Sequence, residues 1–133
     1  MSRCAVLKAE SYNADELYNV IKKHFAFHEI EKDIPKDARV VIKPNLLTDK
    51  EAAFSINTNP AFVFAIIRCL KEIGINDITV ADCPGGSVLL FTQMQDVYRK
   101  AEYEFMAEHV KLNLDFESTD VYGSESFANK KFN

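Results

Sequence analysis

Hydrophobic residues follow two alternating patterns along the chain: short apolar runs, and longer stretches in which they recur at helical spacing. The runs fall at residues 3–9, 39–43, 77–82 and 111–115 and are rich in Val, Ile or Leu. Such runs predict strands, and the continuous ones are typical of buried parallel strands. The predicted order is β-α-β-α-β-α-β. This order favours the α/β class, with a mostly parallel sheet of about four strands and helices on both faces, a three-layer α/β/α arrangement.

The first and third predicted helices have recognisable boundaries. Asn13 is a good N-cap for the stretch 13–28, and Glu16 stands three residues later, as in a capping box. This stretch repeats apolar residues at helical spacing, which predicts one buried face. The third helix is predicted over 91–109, and the pattern leaves open a break near Ala101.

The second predicted helix is the most apolar stretch of the chain. Asn59 or Thr58 is its N-cap, Pro60 occupies its first position and Gly74 its C′ position. Its predicted core stripe consists of Val63, Ile66, Ile67, Leu70 and Ile73. Phe64 falls instead on the charged side of the helix, so we expect another group to cover it.

Composition restricts the class of protein. The chain has 133 residues, of which 47% are hydrophobic and 27% charged, enough for a single domain spanning 1–133 with a real core. The net charge is −4, which argues against nucleic acid or an anionic membrane as partner. The beginning of the chain lacks the long apolar core of a secretion signal, and the longest apolar run is too short to span a bilayer. We therefore expect a cytoplasmic protein.

The cysteines and histidines do not form a metal-binding pattern. Cys4, Cys69 and Cys83 contain no C-x-x-C pair, so this chain alone cannot supply the four ligands of an iron–sulfur or zinc site. Cys4 and Cys69 lie in predicted apolar elements and are interpreted as small buried thiols. His24 and His28 stand one helical turn apart without an evident third ligand. No metal and no cofactor are therefore predicted in this chain.

Polar residues follow the second and third predicted strands, where ligands bind in parallel sheets. Lys43 closes a buried strand, so its stem can pack while its ammonium reaches the sheet edge. Asn45 follows it, and Asp82 ends the next strand. One interpretation is a ligand site; the other is a structural ion pair between Lys43 and Asp82, with Asn45 stabilising a turn.

A glycine-containing turn follows Asp82. Gly85-Gly86-Ser87 between a strand and a helix lets backbone N–H groups converge on a phosphate or carboxylate, although a plain turn with a Ser cap explains the same residues. The spacing matches neither of the common nucleotide-binding patterns. The complete predicted ligand-binding set is Lys43, Asn45, Thr58, Asp82, Gly85, Gly86 and Ser87, and no catalytic residue is predicted.

Apolar residues are also unusually frequent in and beside these two loops; they are Leu46, Leu47, Phe54, Leu89, Leu90 and Phe91. We expect a substrate, a second domain or another copy of the chain to cover them. Two functions stay open: a domain that binds a small anionic ligand, and a non-catalytic module that docks a second domain or a homo-oligomer partner through this apolar edge. A hydrolase using Cys83 lacks a visible base.

Two segments resemble a known family: "VVIKPNLL" and "TNPAFVFAIIRCLKEIGINDITVADCPGG". They are similar to the N-terminal half of the proteins grouped as domain of unknown function 362, in which a strand ends in K-P-N, a helix starts at T-x-P and a later strand ends in D-x-P-G-G. The resemblance covers residues 38–87 best and extends more weakly to about residue 120. A more distant likeness joins the chain to the N-terminal domain of lactate racemase-type proteins.

The resemblance has its own implications. Members are longer, usually continue into a second α/β half, and many then carry a ferredoxin-like segment that binds [4Fe–4S] clusters. The chain is accordingly expected to be the N-terminal portion of a redox-associated protein, with any cluster held by a downstream segment. Members often have a small residue at the position of Cys83 and a T-G-Y-like element at 101–103, so the chain departs from the pattern there.

Overall fold

The sheet consists of short parallel strands that neighbour each other in the order of the sequence. The computed structural model describes residues 3–48, 50–82 and 94–112. Its strands are β1 (Arg39–Ile42), β2 (Asp77–Val80) and β3 (Lys111–Leu112), paired in parallel in the order β1-β2-β3. The α/β class is therefore confirmed, as are three of the predicted strands, the last of them within its described part.

The described helical elements precede and connect these strands. They are α1 (Ala14–His28), α2 (Ile30–Asp33), α3 (Pro60–Glu72) and α4 (Met94–Lys100), with 3-10 turns at Ala52–Phe54 and Glu104–Glu108. Within the described ranges, no helix is long and apolar enough to cross a bilayer.

The strand predicted at 3–9 does not form. These residues belong to no strand, and Val6 is 90% exposed. Arg3 lies 3.7 Å from Glu29 and the N–H of Glu10 bonds to Glu16, so the segment follows α1 from its last turn to its first. A strand exists only where its backbone groups pair with a neighbour, which an apolar run by itself cannot supply. The described sheet consequently has three strands and not four.

The core lies on one face of the sheet. Ile78 and Val80 of β2 pack with residues of α3 and α4 in a single cluster whose centre also includes Ile67 and Val97. Crossovers of the same hand that step in one direction across a sheet place their helices on the same face. Val41 on the other face is 66% exposed. The predicted three-layer arrangement is therefore not confirmed by the described residues.

Helix α3 is apolar because it is covered on two sides. Val63, Ile67 and Leu70 face the sheet, as the predicted stripe requires, and Ile66 and Ile73 are half-buried beside it. Ala65 and Cys69 lie outside that stripe but are buried against Leu17 and Ile21 of α1. Cys69 is thus a buried thiol as predicted, whereas Cys4 is exposed because the segment that contains it joins no sheet.

The cap predictions are mostly confirmed. Asn13 accepts hydrogen bonds from the N–H groups of Asp15 and Glu16, and Asn59 accepts one from Ala61 at 2.9 Å. Gly74 follows α3 with φ +92°, a conformation that favours glycine. The capping-box pairing is wrong: the Glu16 carboxylate accepts from the Glu10 N–H and the Ser11 hydroxyl, because the preceding segment lies against α1.

The third predicted helix is broken at Ala101, the alternative that the pattern left open. Tyr98 and Tyr103 flank the break and are 1% and 0% exposed. Five residues in a continuous helix would place them about 140° apart, on different faces. The chain instead turns at Glu102, with φ 64°, and both rings enter the same core, 6.1 Å apart.

Candidate ligand site at the carboxyl edge of the sheet

Lys43 and Asp82 meet at the carboxyl edge, directly beyond the ends of β1 and β2. The register pairs Ile42 with Val80, so the residues that follow them are neighbours. Lys43 Nζ lies 2.8 Å from Asp82 Oδ1. The lysine side chain is 63% exposed and the aspartate side chain 2% exposed, so the pair joins a solvent-facing cation to a buried carboxylate.

The backbone holds Asp82 in place. Its Oδ2 accepts a hydrogen bond of 2.7 Å from the N–H of Leu46, a residue that is itself fully buried. Its Oδ1 is buried and has no aligned hydrogen-bond partner among the described residues, although Lys43 stands at ion-pair distance. We regard the contact as electrostatic, because the N–O distance is short while the angles are poor for a hydrogen bond.

Asn45 and Thr58 form a second, purely hydrogen-bonded pair at the same edge. The Asn45 N–H donates to Thr58 Oγ1 at 3.0 Å, and the Thr58 N–H donates to the Asn45 carbonyl at 2.9 Å. Lys43 Nζ donates to Asn45 Oδ1 at 3.2 Å. This contact leaves the Nδ2 group of the exposed Asn45 without a bond to another described residue.

Two buried tyrosines support the edge from the core. Tyr98 Oη donates to the Val80 carbonyl at 3.2 Å, and Tyr103 Oη donates to the Thr58 carbonyl at 2.8 Å. Burial raises the pKa of Tyr98 to about 12, opposed by a hydrogen bond from the Asp82 backbone and reinforced by the Asp82 charge. Burial also raises the pKa of Tyr103, and both hydroxyls therefore stay protonated donors at neutral pH.

Asn57 organises the loop between β1 and α3, a role that the sequence analysis missed. Its Oδ1 accepts from the N–H groups of Leu47 and Thr48 at 2.8 and 3.2 Å, while its Nδ2 donates to the carbonyls of Thr48 and Lys50. The side chain is buried, and these bonds satisfy its amide on both sides. A single asparagine near a helix cap carries no distinguishing sequence signal. Only the geometry of the loop shows that the Asn57 side chain joins its backbone groups.

The apolar residues of the same loop differ in burial. Leu46 is fully buried, whereas Leu47, Phe54 and Ile56 are 58%, 63% and 46% exposed. Phe64, expected to need cover, receives some from the segment after α4: the rings of Phe105 and His109 each lie 5.1 Å from it. The loop therefore exposes more apolar surface than α3 does, where Phe62 in the first turn is 38% exposed.

The structure places four of the seven predicted ligand-binding residues together. Lys43, Asn45, Thr58 and Asp82 form one continuous set of contacts. The rest of the predicted set, the Gly85-Gly86-Ser87 turn, lies outside the described residues, as do Cys83 and the apolar residues 89–91. The described ranges contain no group of three or more His, Cys, Asp or Glu that could hold a metal ion.

A cavity of about 680 Å³ lies elsewhere, between the C-terminal ends of α1 and α3. Phe25 and Cys69 contribute to its lining, and burial raises the pKa of the Cys69 thiol to about 11, which keeps it unreactive. Its charged lining residues pair with one another or with close neighbours, for example Lys22 with Glu72. All of these charged side chains are largely exposed, whereas the Lys43 corner contains a carboxylate whose side chain is only 2% exposed.

Comparison with known proteins agrees with the strand-end pattern. The profile of the family described as domain of unknown function (DUF362) matches residues 40–132. The chain belongs to this family. The match begins inside β1 and includes the Lys43–Asn45 corner, α3 and the end of β2 of the DUF362 chain. No solved structure matches the chain significantly.

The polar groups at this edge of the DUF362 chain can make a small number of directed contacts. One N–H of Lys43 donates to Asn45 Oδ1, while Asp82 attracts the ammonium by its charge. A remaining N–H of Lys43 and the Nδ2 group of Asn45 can donate to an oxygen at the edge of the sheet. The described edge therefore combines N–H donors that face solvent with one buried carboxylate, Asp82.

Proposed function

We propose that this DUF362 domain binds a small anionic ligand, a carboxylate or a phosphate, at the carboxyl edge of its sheet. The single observation that carries the proposal is the position of Lys43, whose exposed ammonium lies 2.8 Å from a buried carboxylate. Asp82 fixes the ammonium at the edge, and the amide of Asn45 stands beside it. A cation held in one place loses less conformational entropy on binding than a mobile lysine does.

The charge of Asp82 is the main argument against tight binding. A carboxylate next to the cation repels an incoming anion, and the pair as a whole is neutral. Recognition would then depend mainly on directed hydrogen bonds from Lys43 and Asn45, with N–H groups of the Gly85-Gly86-Ser87 turn as further proposed donors. We expect modest affinity that changes in a defined way when the carboxylate is removed.

The test is a titration of the protein with inorganic phosphate, followed through the amide signals of Lys43, Asn45 and Leu46. We expect Asp82→Asn to bind phosphate more tightly than the parent, because the amide can still accept from Leu46 while the negative charge is gone. Lys43→Met should lose binding, whereas Lys111→Met at the opposite end of the sheet serves as the matched control. Unchanged affinity in Lys43→Met, or no binding by the parent, would contradict the proposal.

The redox association implied by the family resemblance is part of the same proposal. The domain would supply the ligand site of a protein whose iron–sulfur cluster lies in another segment. Iron and acid-labile sulfide analysis of the natural gene product, purified without air, tests this point. A natural product without bound iron would remove the redox part and leave the ligand site untouched.

Exposed Phe54 and Ile56 favour a second candidate, a module that docks a second domain or another copy of the chain. With Lys50 they line a shallow depression of about 390 Å³. Light scattering of the parent and of Phe54→Ser distinguishes the two, because docking between copies predicts dimers that the substitution disperses. A monomer in both cases would contradict self-association, and phosphate binding would be unaffected.

A further inference from the structure

We infer that Tyr103 is a positioning residue of the ligand site, an inference that rests on the proposed function. Its hydroxyl donates to the Thr58 carbonyl at 2.8 Å, and Thr58 is bonded in both directions to Asn45. Asn45 in turn accepts from Lys43. A single chain of hydrogen bonds therefore joins a buried ring to the exposed ammonium at the edge.

The ring of Tyr103 can act as a rigid anchor. It is 0% exposed and packs 6.1 Å from the ring of Tyr98 within the core cluster. A buried ring has little freedom to rotate or shift, because protein cores are close-packed. Its hydroxyl consequently fixes the height of the Thr58 carbonyl above the core, just before the start of α3.

Thr58 takes a different role in this arrangement from the one predicted from sequence. Its hydroxyl accepts from the Asn45 N–H and lies 3.4 Å from the Asn45 carbonyl, so its polar atoms are engaged within the loop. It holds Asn45 in place and does not present its hydroxyl as a direct ligand contact. The groups that face the ligand are then Lys43 and Asn45. Tyr103 and Thr58 lie on the core side and stabilise the position of Asn45 through hydrogen bonds.

Tyr103→Phe tests the inference, because it removes one oxygen and retains the buried ring. We expect phosphate affinity to fall about fivefold, the equivalent of one hydrogen bond. The Asn45 backbone amide proton should also shift upfield, since its bond to Thr58 lengthens. Thr58→Ser should keep both properties near those of the parent, whereas Thr58→Val, with similar shape and no hydroxyl, should lose both.

Tyr18→Phe is the matched control. It also deletes one tyrosine hydroxyl, which bonds to Glu72 at the α1–α3 contact, remote from the site. Ile67→Val controls for lost stability, because it weakens the same core without touching the hydrogen-bonded chain. Both controls should bind phosphate as the parent does and leave the Asn45 amide signal in place.

The outcomes separate the inference from the proposed function. If the parent binds no phosphate, the proposed function is wrong, and the Asn45 amide shift alone decides whether Tyr103 positions this corner. If the parent binds phosphate and Tyr103→Phe matches it in affinity and in the Asn45 signal, the inference is overturned while the proposed function stands. Equal losses in Tyr103→Phe and Ile67→Val would reduce the effect to general stability and overturn the inference as well.

Discussion

Two lysine–aspartate pairs join neighbouring strands, one at each end of the sheet. At the carboxyl end, Lys43 lies 2.8 Å from Asp82; at the amino end, Lys111 lies 2.7 Å from Asp77. The distances are nearly equal, yet the side chain of Asp82 is 2% exposed and that of Asp77 is 37% exposed. The distance between the charged atoms therefore does not distinguish an exposed pair from a pair whose carboxylate is buried.

The difference lies in what each carboxylate does besides pairing with its lysine. Asp82 also holds the Leu46 N–H, so it connects the loop after β1 to the end of β2. Asp77 lies at the start of β2, and water solvates its carboxylate in part. Exposed pairs contribute about 0–1 kcal/mol, whereas breaking a buried pair costs about 3–5 kcal/mol. Four measurements test whether the two pairs differ in this way.

The largest expected effect is that of Asp82→Ala. The substitution leaves the buried N–H of Leu46 without its acceptor and opens space beneath the loop, so we expect a loss of about 3 kcal/mol in the free energy of unfolding. Asp77→Ala should cost about 1 kcal/mol or less. Urea denaturation of both variants measures the contrast, and similar losses would show that burial does not distinguish the pairs.

Next comes the removal of each lysine charge with the stem retained. Lys43→Met leaves the buried Asp82 charge without its cation, and we expect a loss of about 2 kcal/mol. Lys111→Met leaves a solvated carboxylate and should cost about 0.5 kcal/mol or less. The same denaturation measurement applies. A Lys43 variant as stable as the Lys111 variant would mean that water, and not lysine, compensates Asp82.

Alkaline pH should reveal the buried tyrosine behind the carboxyl-end pair. The pKa of Tyr98 is raised to about 12, whereas an unfolded tyrosine titrates near 10. The unfolded chain then releases its proton first, so this stabilisation is complete below pH 10 and is lost as pH rises through about 12. Tyr98→Phe should flatten the decline by up to about 1.4 kcal/mol per pH unit. An unchanged slope in Tyr98→Phe would contradict the assignment.

Salt should produce the smallest contrast. In double-mutant cycles, the coupling energy of Lys111 with Asp77 should fall by a few tenths of a kcal/mol between 0.1 and 1 M NaCl, because the screening length shortens from about 10 to about 3 Å. The coupling of Lys43 with Asp82 should change less, since solvent reaches only one partner. Equal salt dependence would place both pairs in the same class.

Much of this fold is predictable because the relevant signals are local. A β-branched run, an asparagine cap with Pro60 and a C′ glycine identify β1 and α3 from a few residues each. Parallel strands joined by helices then bring Lys43 and Asp82 to the same edge without knowledge of any contact. The pairing of these two residues was one of the two interpretations that the sequence left open.

The remaining features depend on partners that are distant in sequence. Residues 3–9 have the composition of a strand, yet pairing requires a neighbour that composition cannot specify. Cys69 and Ala65 are buried because α1 packs on α3. Asn57 bonds to the loop backbone because the loop folds over its side chain. Tyr103 reaches Thr58 across 45 residues, a contact that periodicity cannot predict.

The strand order has a consequence for how the domain opens. Among the described strands, β2 alone is hydrogen-bonded on both sides, and its inward residues Ile78 and Val80 are 1% and 0% exposed. Amide protons that pair within such a strand exchange with deuterium only when the domain unfolds as a whole, whereas those at a frayed edge exchange through local opening. The slowest-exchanging amides should therefore lie in β2, in the strand that ends two residues before Asp82.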